Sequence, residues 1–165
     1  MAYYQKDRVI NFLSPNSDPL GTGYNLIQST IAVGSGQIFG RGLGSGTQSR
    51  LQFLPEFRTD FIFASISEEL GLIGALVILA IYGYLIYYLL SLSDQTSDTF
   101  GYIIIYGVAT MILFQCFVNT GMNLGILPIT GITLPLVSYG GSSLIATLIS
   151  LGFAASIANM NRKLT

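Results

Sequence analysis

Ionisable side chains are scarce in this sequence, and they crowd into one stretch. Leu51–Gly71 (LQFLPEFRTDFIFASISEELG) holds Glu56, Arg58, Asp60, Glu68 and Glu69, and Arg50 immediately precedes it. The stretch begins as a polar, Pro-broken loop and runs into a long apolar segment. Its charges therefore sit at the edge of a hydrocarbon-spanning helix, where each is costly without a partner or a task. Histidine is absent, which removes imidazole acid–base chemistry, Ser-His-Asp triads and His-based metal sites. Chemistry must come from carboxylates, bases, hydroxyls, backbone amides or an added ion, and Asp60 is the leading carboxylate.

Helical spacing separates the acids. On a helix starting at Thr59 or Asp60, Asp60 shares a face with Ala64, Ser67, Gly71 and Gly74. Over such small residues another backbone or a ligand can approach closely, so the stripe suggests a cleft. Glu69 shares a face with Ile62, Ile66 and Ile73. Glu68 fits a capping box, Ser65-Ile66-Ser67-Glu68, on which the helix would start at Ser65 instead. Both starts stay open, and so does a plain role for Asp60 as a helix cap that complements the dipole.

The elements that must hold these residues follow from composition. The 165 residues are 51% hydrophobic and only 9% charged, against about a quarter charged in soluble domains, and the apolar residues fall in long runs. The class is all-α integral membrane protein. A net charge of −1 argues against the basic surface of a nucleic-acid binder. The lone cysteine, Cys116, allows no intrachain disulfide and reads as a small hydrophobe. The N-terminus is no signal peptide, and a membrane protein that opens on a polar loop reads as the C-terminal part of something longer.

Residues 1–60 read as a loop with one short helix at 24–33, too short to span and better suited to the interface. The glycine-rich run 34–48 has no GxxxxGK[ST] pattern. It reads as a flexible or tightly turned loop, with the alternative that its amides wrap an anion beside Arg41 and Arg50. Residues 61–165 form the membrane region, with spans at about 70–92, 100–118 and 142–158. A helix from Asp60 to Leu92 would be roughly 45 Å long against a hydrocarbon layer of about 30 Å, so its first turns project beyond the layer. Ser97 or Asp98 suits the cap of the second span. Residues 119–141 are too apolar for a free loop and too rich in Gly and Pro for a regular helix. Irregular backbone at membrane depth needs protein or a water-filled cavity beside it, so this segment is expected to line a cavity. Gly140–Ser143 is a good helix start whose amides could receive an anion at Ser142 and Ser143, or simply be capped. Basic residues flank the spans on both sides, which leaves the positive-inside rule undecided.

Three strings, FLSPNSDPLGTGYNLIQSTIAVGSGQIFGRGLGSGTQ, LQFLPEFRTDFIFASISEELG and NTGMNLGILPITGITLPLVSYGGSSL, keep an order and spacing that resemble the SEDS family (shape, elongation, division and sporulation), which includes RodA, FtsW and SpoVE. The resemblance runs from about Tyr4 to Arg162. It covers the last three of about ten transmembrane helices and the large extracytoplasmic loop before them. It implies a peptidoglycan glycosyltransferase that polymerises lipid II, an undecaprenyl-pyrophosphate-linked glycan, outside the bacterial cytoplasmic membrane. A class B penicillin-binding protein is the implied transpeptidase partner. The first loop would then be extracytoplasmic and the C-terminus cytoplasmic. No organic cofactor is implied, but a divalent cation such as Mg or Mn is admitted, with Asp60 as a ligand. The family's essential aspartate falls on Asp60 in RTDFIFA, as general base. Arg58, Arg50 and Arg41, with Ser142 and Ser143, are the groups available to the departing pyrophosphate. Without the preceding helices the isolated chain is expected to be inactive. Two alternatives stay open: a lipid II flippase, which would need its acid nearer mid-membrane, and a non-catalytic membrane subunit.

Overall fold

In hydrocarbon a backbone can satisfy its own polar groups only as a helix or a closed barrel, and long apolar runs without strand-like alternation choose the helix. The computed structural model describes residues 22–46, 58–96 and 98–162; Arg50 and the opening loop lie outside them. Among the described residues the elements are four helices: α1 (Thr22–Ser35), α2 (Ile62–Asp94), α3 (Thr99–Asn123) and α4 (Gly141–Arg162). The last three are long and apolar enough to cross a membrane, with mean hydropathies of 2.2, 1.9 and 1.7.

The core lies between α2 and α3. Ala75, Tyr82 and Leu89 of α2 are buried at seven-residue intervals, facing Ile105, Val108, Ile112 and Cys116 of α3. That repeat keeps one face of each helix toward its partner over several turns. Leu134 and Ala154 close the cluster from the irregular segment and from α4. Asp98 caps α3, its carboxylate accepting from the Gly101 amide at 3.1 Å, while Ser97 lies outside the described residues. α3 ends in a Schellman motif. Gly125 takes a left-handed φ of 74°, its amide donates to the Met122 carbonyl, and the Ile126 amide donates to the Gly121 carbonyl.

Of the two starts left open for α2 the later fails, and the continuity of the helix differs from expectation. No capping box forms at Ser65, which lies inside the helix and donates its amide to the Phe61 carbonyl at 3.1 Å. The helix begins at Ile62, two residues after Asp60, the earlier of the two regions left open for its start, and eight residues before the membrane span expected from about residue 70. It is also interrupted: Gly71 has φ 69° and ψ −164°, a region that essentially only glycine enters. α3 in turn runs on to Asn123, so the first residues of the segment expected to be irregular are helical, and the irregular part is 124–140.

The glycine-rich run fills the break at Gly71. The amides of Arg41 and Gly42 donate to the carbonyls of Glu68 and Glu69, each at 3.0 Å. The amides of Leu72 and Ile73 donate to the carbonyls of Gln37 and Ile38, at 2.8 and 3.3 Å. Residues 37–42 thus act as a splint that supplies from outside the bonds that α2 gives up. The approach is possible only without side chains: a Cβ at Gly36 would lie 1.9 Å from the Ser67 carbonyl oxygen, and one at Gly71 would lie 2.3 Å from the Gly40 nitrogen. The small stripe Ala64, Ser67, Gly71 and Gly74 is buried, Ala64 beside Ala32 of α1 and Ser67 and Gly71 against this loop. A backbone occupies it where the sequence suggested a cleft.

Candidate functional site

The tripeptide Arg58-Thr59-Asp60 leads into α2, and all three of its carbonyls are tied to the far end of the chain. The Arg58 carbonyl accepts from the Tyr139 amide at 2.8 Å. The Thr59 carbonyl accepts from the Ser138 hydroxyl at 2.6 Å, while that hydroxyl accepts from the Leu134 amide at 2.8 Å. The Asp60 carbonyl accepts from the side-chain amides of Asn119 and Asn123, at 2.9 and 3.1 Å.

The helix that follows lacks a cap of its own. Phe61 is its N-cap residue and offers no side-chain bond, so the first amides of α2 need an acceptor from elsewhere. Asn123 provides one: its Oδ1 accepts from the Ala64 amide at 3.2 Å. Asn119 also reaches across, donating to the Ile132 carbonyl at 2.8 Å. Both asparagines are fully buried. They project from the last turns of α3 toward the α2 entry, and their bonds join residues 59 and 63 positions apart.

The Asp60 side chain is half-buried and faces the irregular segment. A Cβ added at Gly131 would lie 3.4 Å from Asp60 Oδ2, so the glycine backbone stands directly beside the carboxylate. Gly131 has φ 74°, a left-handed turn natural to glycine. Leu136, in the same segment, also has a positive φ of 65°, which costs a branched residue about 1–2 kcal/mol. Its neighbours hold it there: the Pro135 carbonyl accepts from the Tyr82 hydroxyl, and the Ser138 amide returns to the Leu134 carbonyl at 3.0 Å. A residue held in that region persists only where the surrounding structure over-determines it.

The remaining expected residues fall into three groups. Arg58 is exposed and shares the turn with Asp60. Ser143 connects to the site indirectly: its hydroxyl pairs with that of Thr133 at 2.9 Å, next to Leu134. Ser142 is exposed on the first turn of α4. Arg41 belongs to the splint, with its backbone at the level of Glu68, roughly 12 Å along α2 from Asp60 at 1.5 Å per residue, and its Nε donates to the Ser35 carbonyl at 3.3 Å. The glycine run's amides at 41 and 42 are spent on carbonyls of α2, so those two amides do not form an anion nest. Glu68 is fully buried and engaged.

Asn119, Asn123 and Ser138 carry the geometry, and sequence reasoning assigned them no role. A signal for the asparagines was present: two amides at i and i+4 ending an apolar span are expensive there unless they bond to something specific. Among the described residues no group of three or more His, Cys, Asp or Glu side chains could cage a metal ion. The one carboxylate of Asp60 suffices only for an ion of the Mg type, which keeps waters and takes substrate phosphate oxygens as further ligands. A concavity of about 340 Å³ lies between α2 and α3 and is lined by apolar residues such as Leu79, Ile86, Leu113 and Phe117. It offers no charged group to a phosphate.

A family model described as cell cycle protein, covering FtsW, RodA and SpoVE, matches residues 1–163. Peptidoglycan glycosyltransferase MrdB of Escherichia coli (strain K12) is 49% identical over 162 residues, 98% of this chain and 44% of the relative. Peptidoglycan glycosyltransferase RodA of Treponema pallidum is 47% identical over 154 residues, 93% of this chain and 36% of the relative. Among solved structures, a chain of a peptidoglycan synthase complex that coordinates polymerization and crosslinking superposes with a TM-score of 0.75 at 34% identity, over 98% of this chain and 43% of that one. A mutant of the Thermus thermophilus rod shape determining protein RodA superposes with a TM-score of 0.61 at 28% identity, over 98% of this chain and 59% of that one. The chain thus spans less than half the length of these curated relatives.

Proposed function

The chain belongs to the FtsW, RodA and SpoVE family, and from that premise we propose that it is the C-terminal part of a peptidoglycan glycosyltransferase that polymerises lipid II, with Asp60 as general base. The observation that carries this reading is where the acid lies. Asp60 precedes the first turn of α2, at the mouth of a span and not in its middle, on backbone fixed at three successive carbonyls. A polymerase needs its base where a polar sugar can arrive from water. A flippase would need its acid deeper.

The chemistry follows. The acceptor sugar's hydroxyl attacks the anomeric carbon of the donor, a C–O bond forms, and the bond to the lipid pyrophosphate breaks. A carboxylate within hydrogen-bond reach takes the hydroxyl proton as that bond forms. The departing pyrophosphate gathers negative charge and calls for cations. Arg58, in the same turn, is the first group we assign to it, and Arg41, Arg50, Ser142 and Ser143 are further groups that a closed site could recruit. A divalent cation of the Mg or Mn type would take Asp60 as its protein ligand and would add positive charge at the leaving group.

The surroundings in this reading are the bacterial cytoplasmic membrane, with the loop before α2 outside and the C-terminus inside. The transpeptidase partner is a class B penicillin-binding protein. The relative whose complex joins polymerization to crosslinking supports such a partner. The test is glycan-strand synthesis from lipid II by the full-length protein. Asp60→Ala and Asp60→Asn should lose polymer by about a hundredfold or more, the usual scale for a missing general base. Wild-type yield from either variant would sink the assignment. Asp60-dependent movement of lipid II across vesicles without polymer would favour the flippase instead.

A further inference from the structure

We infer that Asn123, with Asn119 as its second, is a positioning residue of the Asp60 site: one buried amide bridges the junction at which the chain stops being loop and becomes α2. The inference rests on the polymerase reading, which supplies the reaction that the positioning serves.

The junction poses a specific problem. The Asp60 carbonyl, before the N-cap residue Phe61, needs a donor, and the Ala64 amide, after it, needs an acceptor. Asn123 meets both needs with one side chain, accepting from Ala64 through Oδ1 at 3.2 Å and donating to the Asp60 carbonyl through Nδ2 at 3.1 Å. The orientation of the amide is fixed by its partners, because Ala64 offers only a hydrogen and the Asp60 and Asn119 carbonyls offer only lone pairs. No other side chain of this size pairs a donor and an acceptor in that way at neutral pH. A hydroxyl is too short to reach both, and an ionised aspartate has no donor.

Asn119 adds a second constraint. Its Nδ2 is shared between the Asp60 carbonyl at 2.9 Å and the Ile132 carbonyl at 2.8 Å. Ile132 follows Gly131, the residue facing the Asp60 carboxylate, so Asn119 sets the separation between the acid and the wall opposite it. Asn123 Nδ2 also donates to the Asn119 backbone carbonyl at 2.8 Å, which couples the two amides. Together they fix the Asp60 backbone, and hence where its carboxylate begins. A base displaced by about 1 Å loses on the order of a hundredfold in rate even when the substrate still binds. Such a loss falls on kcat and not on KM.

The experiment uses the full-length protein in detergent or vesicles, with kcat expressed per folded molecule as counted by stoichiometric lipid II binding. Asn123→Ala should lower kcat about a hundredfold while KM for lipid II stays within about twofold, and Asn119→Ala should lower kcat about tenfold. Asp98→Ala, which removes the α3 cap away from Asp60, serves as the control for general destabilisation and should keep wild-type kcat per folded molecule. If Asn123→Ala does not fold, Asn119→Ala decides, because it leaves the Ala64 cap in place. Wild-type kcat in the asparagine variants, a loss confined to KM, or an equal loss in Asp98→Ala would overturn the inference. Asp60→Asn, run in parallel, separates the two ideas. If it polymerises normally, the reading of Asp60 as base fails; if it is inactive while Asn123→Ala is fully active, only the positioning role fails.

Discussion

Two places along α2 interrupt ordinary helix bonding, and they are repaired by different means. At its entry, side chains supply the missing partners: Asn123, Asn119 and Ser138 hold the backbone of residues 59–64. At Gly71, main chain repairs main chain, through the amides and carbonyls of residues 37–42. Side-chain repair can be adjusted one atom at a time, which suits a site where a carboxylate must stand in one place. Main-chain repair is indifferent to most side chains but demands that some be absent, which suits a joint that only has to stay closed.

That contrast can be broken by substitution, and the largest effect is expected at the joint. Gly71→Ala meets a forbidden φ and two backbone atoms, Gly40 N at 2.3 Å and Ile38 O at 2.5 Å, none of which can move aside cheaply. A loss beyond about 4 kcal/mol is expected, read as absence of folded protein on size-exclusion in detergent. A normal monodisperse peak would mean that the splint is not needed. Ser138→Ala should act at intermediate strength, because it strands the Thr59 carbonyl and the Leu134 amide. The thermal midpoint should fall by the equivalent of about 1–3 kcal/mol, with polymer yield reduced as well. Gly34→Ala sharpens the comparison from the other side. It lies only two residues from Gly36, yet its Cβ would meet nothing within 4 Å, and it is helical. It should leave the midpoint unchanged or raise it by up to about 1 kcal/mol, whereas Gly36→Ala in the same run should unfold the protein.

The same division explains what could be read in advance. Apolar runs announced the spans, because burial in lipid is a local property of sequence. Asp98 announced a cap because its partner, Gly101, is three residues away. Asp60 was visible as a charge at the mouth of a span. The glycine run was visible only as glycine: that its backbone lies against residues 67–73 is a long-range fact that no local pattern encodes. Asn119 and Asn123 failed to register for a related reason, since their bonds reach back about sixty residues. The capping box at Ser65 was a sound local pattern overridden by tertiary structure: Phe61 is the N-cap residue, and Asn123 caps the Ala64 amide, four residues before the Glu68 amide that the box would have capped.

The splint also bears on how the chain enters a bilayer. A break at Gly71 exposes two carbonyls and two amides, and each is worth several kcal/mol if left bare away from water. Until partners arrive, an uninterrupted helix is the cheaper state for residues 62–94. Those partners, residues 37–42, precede α2 in the chain and so leave the ribosome first. The order of synthesis therefore delivers the clamp before the helix that must bend around it, and α2 can take its broken form as it is threaded into place.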